Sequence, residues 1–241
     1  FLPYTPYWNI VPKIVWRWFV VRFGRKFVAL SVAAAILCAG SAFAGEIKMG
    51  SAAYLVDVME KFASLVEEKT GGEIKVNALK DPLFEDEVNT ISMVQGGALA
   101  GTVVSINKLG ISPSTGFVSF PYIFPSLKAA DGFFLSPFME TVNERLVKES
   151  AASGGAVRGA GWFTNDYRVL TNSKRAVASP SDLEGLVIRV PESRVMQDTF
   201  TSWGAKAAPL SWSEVPDALK FGTFDGQENP YSIIVGANLQ E

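Results

Sequence analysis

The chain has 241 residues, 48% of them hydrophobic and 19% charged, which is typical of a globular protein with a sizeable core. Its formal net charge is −2, but residues 1–44 carry five basic groups and no acidic ones, so the remainder carries 17 basic groups against 24 acidic ones. An acidic body repels nucleic-acid phosphates, which argues against nucleic-acid binding. With no histidine and only one cysteine, Cys38, the sequence offers no disulfide framework, no histidine or cysteine metal site and no Ser-His-Asp triad, and we predict no cofactor.

The basic N-terminal segment has the pattern of a secretory signal peptide. Arg22, Arg25 and Lys26 precede an apolar run over residues 27–38, and a small-residue A-x-A site ends at Ala44. This pattern predicts cleavage after Ala44 and a periplasmic location. The apolar run is too short to span a bilayer, which argues against a transmembrane helix and leaves an uncleaved N-terminal anchor as the alternative.

Downstream of this segment, strand-like runs alternate with amphipathic helices, the arrangement of an α/β fold. Apolar residues at Leu55, Met59, Phe62 and Val66 repeat with the spacing of one helical face, and Gly71 supplies a left-handed end to that helix. In chain order the predicted elements are strand 46–49, helix 55–69, strand 73–79, helix 85–95, strands 102–106 and 117–119, helices 127–134 and 138–152, strands 156–162, 168–171 and 186–190, helix 193–203 and strand 206–209.

A polar turn at 164–166, between two predicted strands, indicates a boundary between two lobes. We therefore predict an upstream extension with the signal peptide at 1–44, a first α/β lobe at 45–165 and a second, incomplete α/β lobe at 166–241. The sequence shows no internal repeat and no low-complexity linker.

Five sequence stretches in the body occur in a recognisable order. They are EEKTGGEIKV at 67–76, FPYIF at 120–124, YRVLTN at 167–172, SDLEGLVIRVP at 181–191 and, over 212–230, WSEV followed by AL and DGQENP. Together they resemble the DctP-like solute-binding proteins of TRAP transporters. The resemblance implies a two-lobe α/β fold of the type II-like periplasmic binding proteins, with a hinge that closes around one small organic acid.

The same resemblance implies a ligand site around Arg189. This arginine lies near the end of a predicted strand, where α/β sheets receive ligands, and a guanidinium pairs with a carboxylate through two parallel hydrogen bonds. In the family the matching arginine holds the carboxylate of the ligand. Arg168 matches a second arginine near that carboxylate, and Asn229 matches the amide of a Q-E-N-P turn. Glu228 is expected to orient Arg189 or a polar group of the ligand.

Trp212 matches an aromatic position of the family, where the ring is expected to stack on the ligand, and Tyr231 is a second candidate for the same wall. Each of these residues also has a purely structural explanation. Arg189 fits a surface ion pair, Asn229 fits a turn, and Trp212 fits a core position. The residues 211–214 also match a capping box, which would simply start a helix.

By this resemblance the protein captures a small organic acid in the periplasm and delivers it to a TRAP-type membrane permease. Dicarboxylates, keto acids, sugar acids and zwitterions all offer a carboxylate to one arginine, so the ligand stays open. Members of the family continue well past the position of residue 241, and we therefore expect the chain to be truncated at its C-terminus. A sensor that reports its ligand to a membrane receptor would use the same pocket.

An enzyme is the alternative from a different class. Without histidine or cysteine a hydrolase would need paired carboxylates. The candidates in the sequence are Asp225 with Glu228, and the acidic cluster of Asp81, Glu85, Asp86 and Glu87. Acidic clusters more commonly mark the first turn of a helix, so we predict that the protein is not an enzyme.

Overall fold

The computed structural model describes residues 46–240, and two β-sheets organise this part of the chain. The predicted signal peptide, its cleavage site after Ala44 and the cysteine Cys38 lie outside the described residues. No helix within residues 46–240 is both long and apolar enough to cross a membrane.

The first sheet has three parallel strands in the order β2-β1-β3. β1 (Glu46–Ser51), β2 (Lys75–Leu79) and β3 (Gly101–Val103) alternate along the chain with α1 (Val56–Lys69) and α2 (Glu87–Gln95). Because the strands run in one direction, the segments that follow them meet at the same edge of the sheet.

The first helix ends where the sequence predicts. Gly71 has a φ of +63°, a left-handed conformation that glycine adopts without strain. Its N–H donates to the Glu68 carbonyl at 3.3 Å, and the N–H of Gly72 donates to the Glu67 carbonyl at 2.9 Å. These two bonds satisfy carbonyls that the helix end would otherwise leave unpaired.

Two further helices follow the first sheet, α3 (Leu127–Phe134) and α4 (Phe138–Ala151), and both agree with their predicted bounds to within one residue. The predicted strand at 117–119 is wrong, because these residues end the 3-10 helix Pro113–Ser119. Proline at the first helical position favours that start, since its fixed φ is already helical.

The predicted strand at 156–162 is also wrong, because these residues join neither sheet. Side chains of α4 satisfy their backbone instead. Ser150 Oγ accepts from the N–H of Val157 at 2.9 Å. The Asn143 side-chain amide accepts from the N–H of Gly159 at 3.0 Å and donates to its carbonyl at 3.2 Å. A helix thus provides the hydrogen-bond partners that a neighbouring strand would have supplied.

The second sheet has four strands in the order β4-β7-β5-β6. β4 (Arg168–Asn172) runs antiparallel to β7 (Gly226–Pro230), and β5 (Val187–Val190) runs parallel to both β7 and β6 (Lys206–Pro209). Three of these strands match predicted ones, whereas β7 does not.

The Q-E-N-P segment, expected as a turn, is the buried strand β7 in the interior of the second sheet. A Cβ at Gly226 would lie 2.2 Å from the carbonyl oxygen of Thr171, so the close approach of β7 to β4 requires glycine. Pro230 is the last residue of the strand, where the missing N–H removes the least from the ladder of hydrogen bonds.

The other helices that accompany the second sheet are α5 (Arg194–Ser202), α6 (Val215–Lys220) and α7 (Tyr231–Gly236). Its core joins α5 to the sheet through buried apolar side chains: Leu183, Leu186, Ile188, Val190, Met196, Phe200 and Ala205. The predicted capping box at 211–214 is wrong, because the Ser211 side chain makes no capping hydrogen bond. Pro216 lies in the first turn of α6, where the N–H groups need no helical partner.

We propose that each of the two sheets forms the centre of one lobe of the fold. In the described part of the chain no strand pairing links them, since the first sheet uses residues 46–103 and the second uses residues 168–230. The polar stretch 164–166 lies immediately before β4, and Asp166 has a φ of +71°. We propose the lobe boundary between residues 165 and 166 for these reasons.

Candidate ligand-binding site

A small polar cavity lies between the two lobes. The first lobe lines it with Tyr54, Glu87, Ser105, Asn107 and Lys108, and the second with Arg168, Arg189, Pro191, Trp212, Asn229 and Ile233. Its volume is about 20 Å³, which is room for roughly one water molecule. Small-molecule sites usually measure some hundreds of Å³, so the cavity must widen to admit an organic acid.

A second, much larger depression of about 2500 Å³ runs along both lobes. Its wall is mainly apolar, with Met49, Phe62, Leu170 and Phe200 among the lining residues. A small acid binds best where several polar side chains converge on it, and so wide a depression spreads its few charged residues over a long, mainly apolar wall. The polar cavity is therefore the better candidate for a ligand site.

Arg189 is the most distinctive group of the polar cavity. It lies on β5 beside Gln227 of β7 and is only 2% exposed. Its Nε and Nη2 both donate to the Leu210 carbonyl, at 3.0 and 2.6 Å, and its guanidinium carbon lies 5.9 Å from the centre of the Trp212 ring. Among the ion pairs of residues 46–240 none involves Arg189.

Burial lowers the pKa of Arg189 to about 10, with the nearby Arg168 acting in the same direction and Glu228 opposing both. The side chain therefore still carries its charge at neutral pH. A buried guanidinium without a paired carboxylate is unfavourable by itself, and it becomes favourable when an anion reaches it.

Arg168, in contrast, is already neutralised by Glu228. Its Nε and Nη2 contact both carboxylate oxygens of Glu228, and Nη2 also donates to the Glu228 carbonyl at 2.8 Å and to the Asn229 Oδ1 at 3.0 Å. Burial alone would lower the pKa of Arg168, but the contact with Glu228 outweighs it and raises that pKa. Glu228 thus pairs with Arg168, whereas we expected it to orient Arg189 or the ligand.

Asn229 is held in place by residues that sequence reasoning did not identify. Its Nδ2 donates to Gln227 Oε1 at 2.6 Å, and Gln227 Nε2 in turn donates to Thr171 Oγ1 at 2.7 Å. Gln227 is fully buried, so this chain of hydrogen bonds is shielded from water. The strand register provides the only signal for it, because Gln227 and Asn229 are two residues apart and share one face of β7.

The structure places only one of the two predicted aromatic residues at the cavity. Trp212 lines it and packs edge-on against Tyr54 of the first lobe, with ring centres 6.2 Å apart and an interplanar angle of 65°. Tyr231 is 65% exposed and does not line the cavity. Ile233, two residues later, takes that place.

The wall from the first lobe centres on Glu87, the first residue of α2. Glu87 is 3% exposed; the Tyr54 hydroxyl donates to its Oε1, and the N–H of Ser105 donates to its Oε2 at 2.8 Å. The Tyr54 and Ser105 hydroxyl oxygens also lie 2.9 Å apart. Burial raises the pKa of Glu87, although the two hydrogen bonds and Lys108 partly oppose the shift. Burial, together with the neighbouring Glu87, also raises the pKa of Tyr54.

Sequence reasoning treated Glu87 only as one member of an acidic cluster. The missed signal is positional, because Glu87 opens a helix that follows a parallel strand. Helix starts of this kind lie at the edge of the sheet where α/β proteins bind ligands.

Lys108 and Glu192 join the two lobes beside the cavity. Lys108 is buried and its Nζ pairs with Glu192 Oε2, which follows β5 in the second lobe. Next to this pair, Asn107 Nδ2 lies 3.6 Å from Met196 Sδ. Both contacts exist only when the lobes lie close together.

The carboxylates proposed for a hydrolase have structural partners. Asp225 accepts from the N–H of Val187 at 2.8 Å and lies 3.5 Å from Lys174 Nζ, at the opposite end of β7 from the cavity. In the acidic cluster, Asp81 and Asp86 accept from backbone N–H groups at the starts of their helices. These contacts give Asp225, Asp81 and Asp86 a role in holding the backbone.

The chain matches a known family over most of its length. The model of the bacterial extracellular solute-binding proteins, family 7 (DctP), matches residues 48–241. A solute-binding protein of Verminephrobacter eiseniae is 32% identical over 184 residues, which cover 76% of this chain and 53% of that protein. A solute-binding protein of Roseobacter denitrificans is 30% identical over 224 residues, which cover 90% of this chain and 66% of that protein.

Solved structures support the same relationship. A TRAP periplasmic solute-binding protein from Polaromonas, with bound D-erythronate, is 28% identical and superposes with a TM-score of 0.71, covering 80% of this chain and 64% of that one. The chain thus spans about half to two thirds of the length of these relatives. The family match, the relatives and the two-lobe fold agree, and this chain belongs to family 7 of the bacterial extracellular solute-binding proteins.

Proposed function

We propose that this protein binds a small organic acid in the periplasm, anchors its carboxylate on Arg189 and delivers it to a TRAP-type membrane permease. The observation that carries the proposal is the buried guanidinium of Arg189, which lacks an ion-pair partner within residues 46–240. A carboxylate would supply the missing charge and two hydrogen-bond acceptors in one planar contact.

The neighbouring residues have supporting roles in this proposal. Asn229 donates to and accepts from the ligand with the hydrogen-bonding capacity that Gln227 and Arg168 leave free. Arg168 assists mainly by its charge, because Glu228 already occupies its hydrogen-bonding edge. Trp212 forms an apolar wall, and the proposed set omits Tyr231, which lies outside the cavity.

Membership of the family supports the proposed location and the proposed membrane partner. Relatives of family 7 are named as solute-binding proteins, and the D-erythronate complex shows one of them holding a hydroxylated monocarboxylate. A signal peptide ending at Ala44 would bring this protein to the same compartment. No chemical step is required of the site, since the ligand is captured and released unchanged.

A thermal-shift screen of the full chain against a panel of carboxylates tests the anchor. An acid at a hundredfold its dissociation constant stabilises the folded protein by about 2.7 kcal/mol, which raises the melting temperature of a protein of this size by roughly 5–11 °C. Arg189→Gln should abolish this shift, measured relative to the melting temperature of the variant itself. Arg194→Gln is the matched control, because Arg194 lies on the surface and pairs only with Asp198.

Two results would contradict the proposal. A shift of the same size in Arg189→Gln would show that the carboxylate binds elsewhere. A cooperative melt that no acid shifts would show that carboxylates are not the ligands. Uptake of the identified acid by cells that carry this protein and a TRAP permease tests the delivery step, and binding without uptake would favour a sensor.

A further inference from the structure

We propose that the cavity selects acids with a single carboxylate whose far end donates hydrogen bonds, and that it discriminates against dicarboxylates. The inference rests on the proposed function, because it assumes that the single carboxylate lies on Arg189. It concerns the opposite wall, where Glu87 meets the remainder of the ligand.

The charged groups around the cavity are not all paired with one another. Six ionic groups line or flank it: Arg168, Arg189, Lys108, Glu87, Glu192 and Glu228. Four of these form two ion pairs, Arg168 with Glu228 and Lys108 with Glu192. Within residues 46–240, the positive Arg189 and the negative Glu87 form no ion pair. The site therefore has one group that attracts an anion, Arg189, and one group that repels an anion, Glu87.

Glu87 acts as a hydrogen-bond acceptor at the wall of the first lobe. In this proposal Glu87 meets the ligand as the ionised carboxylate: burial raises its pKa, but both of its oxygens accept hydrogen bonds, from the Tyr54 hydroxyl and from the Ser105 N–H, and these bonds favour the ionised form. A carboxylate has about four acceptor positions, so Glu87 can accept further bonds but has no proton to donate. A hydroxyl or an ammonium group satisfies it, whereas a second carboxylate meets it with like charge.

Lys108 does not provide an alternative partner for a second carboxylate. It is buried and paired with Glu192 across the two lobes. A dicarboxylate could bind Lys108 only by displacing Glu192, which would leave that group unpaired at the contact between the lobes. The same exchange would remove one of the contacts that hold the cavity closed.

Matched pairs of acids test the selectivity on the full chain by isothermal titration. Erythronate and meso-tartrate differ only in whether the terminal carbon is a hydroxymethyl group or a carboxylate, and so do galactonate and galactarate. We expect the diacid of at least one pair to bind at least about 100-fold more weakly than its monoacid, because like charges at a closed site are strongly unfavourable. 4-Hydroxybutanoate and 4-aminobutanoate, which differ only in the terminal group, then distinguish a hydroxyl from an ammonium donor at the far end, and tight binding of either supports the proposal.

Glu87→Gln removes the negative charge. The ratio of the dissociation constants of diacid and monoacid should therefore fall at least about tenfold. Glu144→Gln is the matched control, because Glu144 is exposed on α4 and should leave the ratio unchanged. The melting curve of Glu87→Gln shows whether this variant folds. If it does not, the ratio of dissociation constants in the unmodified protein still tests the selectivity.

Three outcomes would overturn the inference, and they are distinct from failure of the proposed function. Diacids that bind as tightly as their monoacids, through Arg189, would leave the function standing and remove the selectivity. If a folded Glu87→Gln kept the same preference for monoacids over diacids, other residues would be responsible for that preference. Binding of other carboxylates, but of no acid from these pairs, would show that the far wall recognises different chemistry. Only the loss of all Arg189-dependent binding would remove both proposals.

Discussion

Replacing Arg168 separates the role of this residue from that of Arg189. Arg168 contacts Glu228 through two guanidinium nitrogens and also binds the Asn229 side chain. The side chain of Glu228 is only 5% exposed, so Arg168→Gln leaves a buried carboxylate without its counter-charge. The main consequence should therefore be loss of stability in the second lobe.

The size of the effect follows from the burial of both partners. Breaking a fully buried ion pair costs about 3–5 kcal/mol. Because the side chain of Arg168 is 32% exposed, water partly screens this pair, and we expect a loss of about 2–3 kcal/mol. For a chain of this length the melting temperature should fall by roughly 4–12 °C.

A double-mutant cycle of Arg168→Gln, Glu228→Gln and the double variant, followed by thermal and urea unfolding, measures the coupling. The double variant should lose less stability than the sum of the two single variants, since it leaves no unpaired charge. Arg194→Gln, which removes a surface pair with Asp198, should leave unfolding unchanged. A melting temperature of Arg168→Gln equal to that of the unmodified protein, or strictly additive effects, would refute the reasoning.

Two further predictions concern the contact between the lobes and the wall of the first lobe. Lys108→Met removes the pair with Glu192, so small-angle scattering without ligand should show a more extended particle, and an identical radius of gyration would contradict this. The raised pKa of Glu87 means that the folded state holds its proton more tightly than the unfolded state does. Stability from this group is therefore present at low pH and lost as the pH rises through the folded pKa. The melting temperature of the unmodified protein, relative to Glu87→Gln, should fall from pH 4 towards neutral pH, and a constant difference would contradict the assignment.

The sequence predicted several helices that local signals decide. The bounds of α3 were predicted to the residue, and the glycine end of α1 was found at Gly71. Prediction failed where tertiary partners decide. Residues 156–162 have a β-like sequence but bond to α4, and 226–230 contain glycine and proline yet form an interior strand. In both cases the deciding hydrogen-bond partners are distant in sequence.

The same distinction explains why half of the candidate site was predictable. Arg189 and Asn229 lie within conspicuous motifs of the second lobe, and strand register alone brings β5 and β7 together. Tyr54, Glu87 and Ser105 follow three different strands of the first lobe, and only the parallel sheet gathers them at one edge. The motif-bearing wall recognises what all carboxylate ligands share, and the dispersed wall meets the part in which they differ. Specificity within such a site should therefore depend on first-lobe residues that sequence motifs do not reveal.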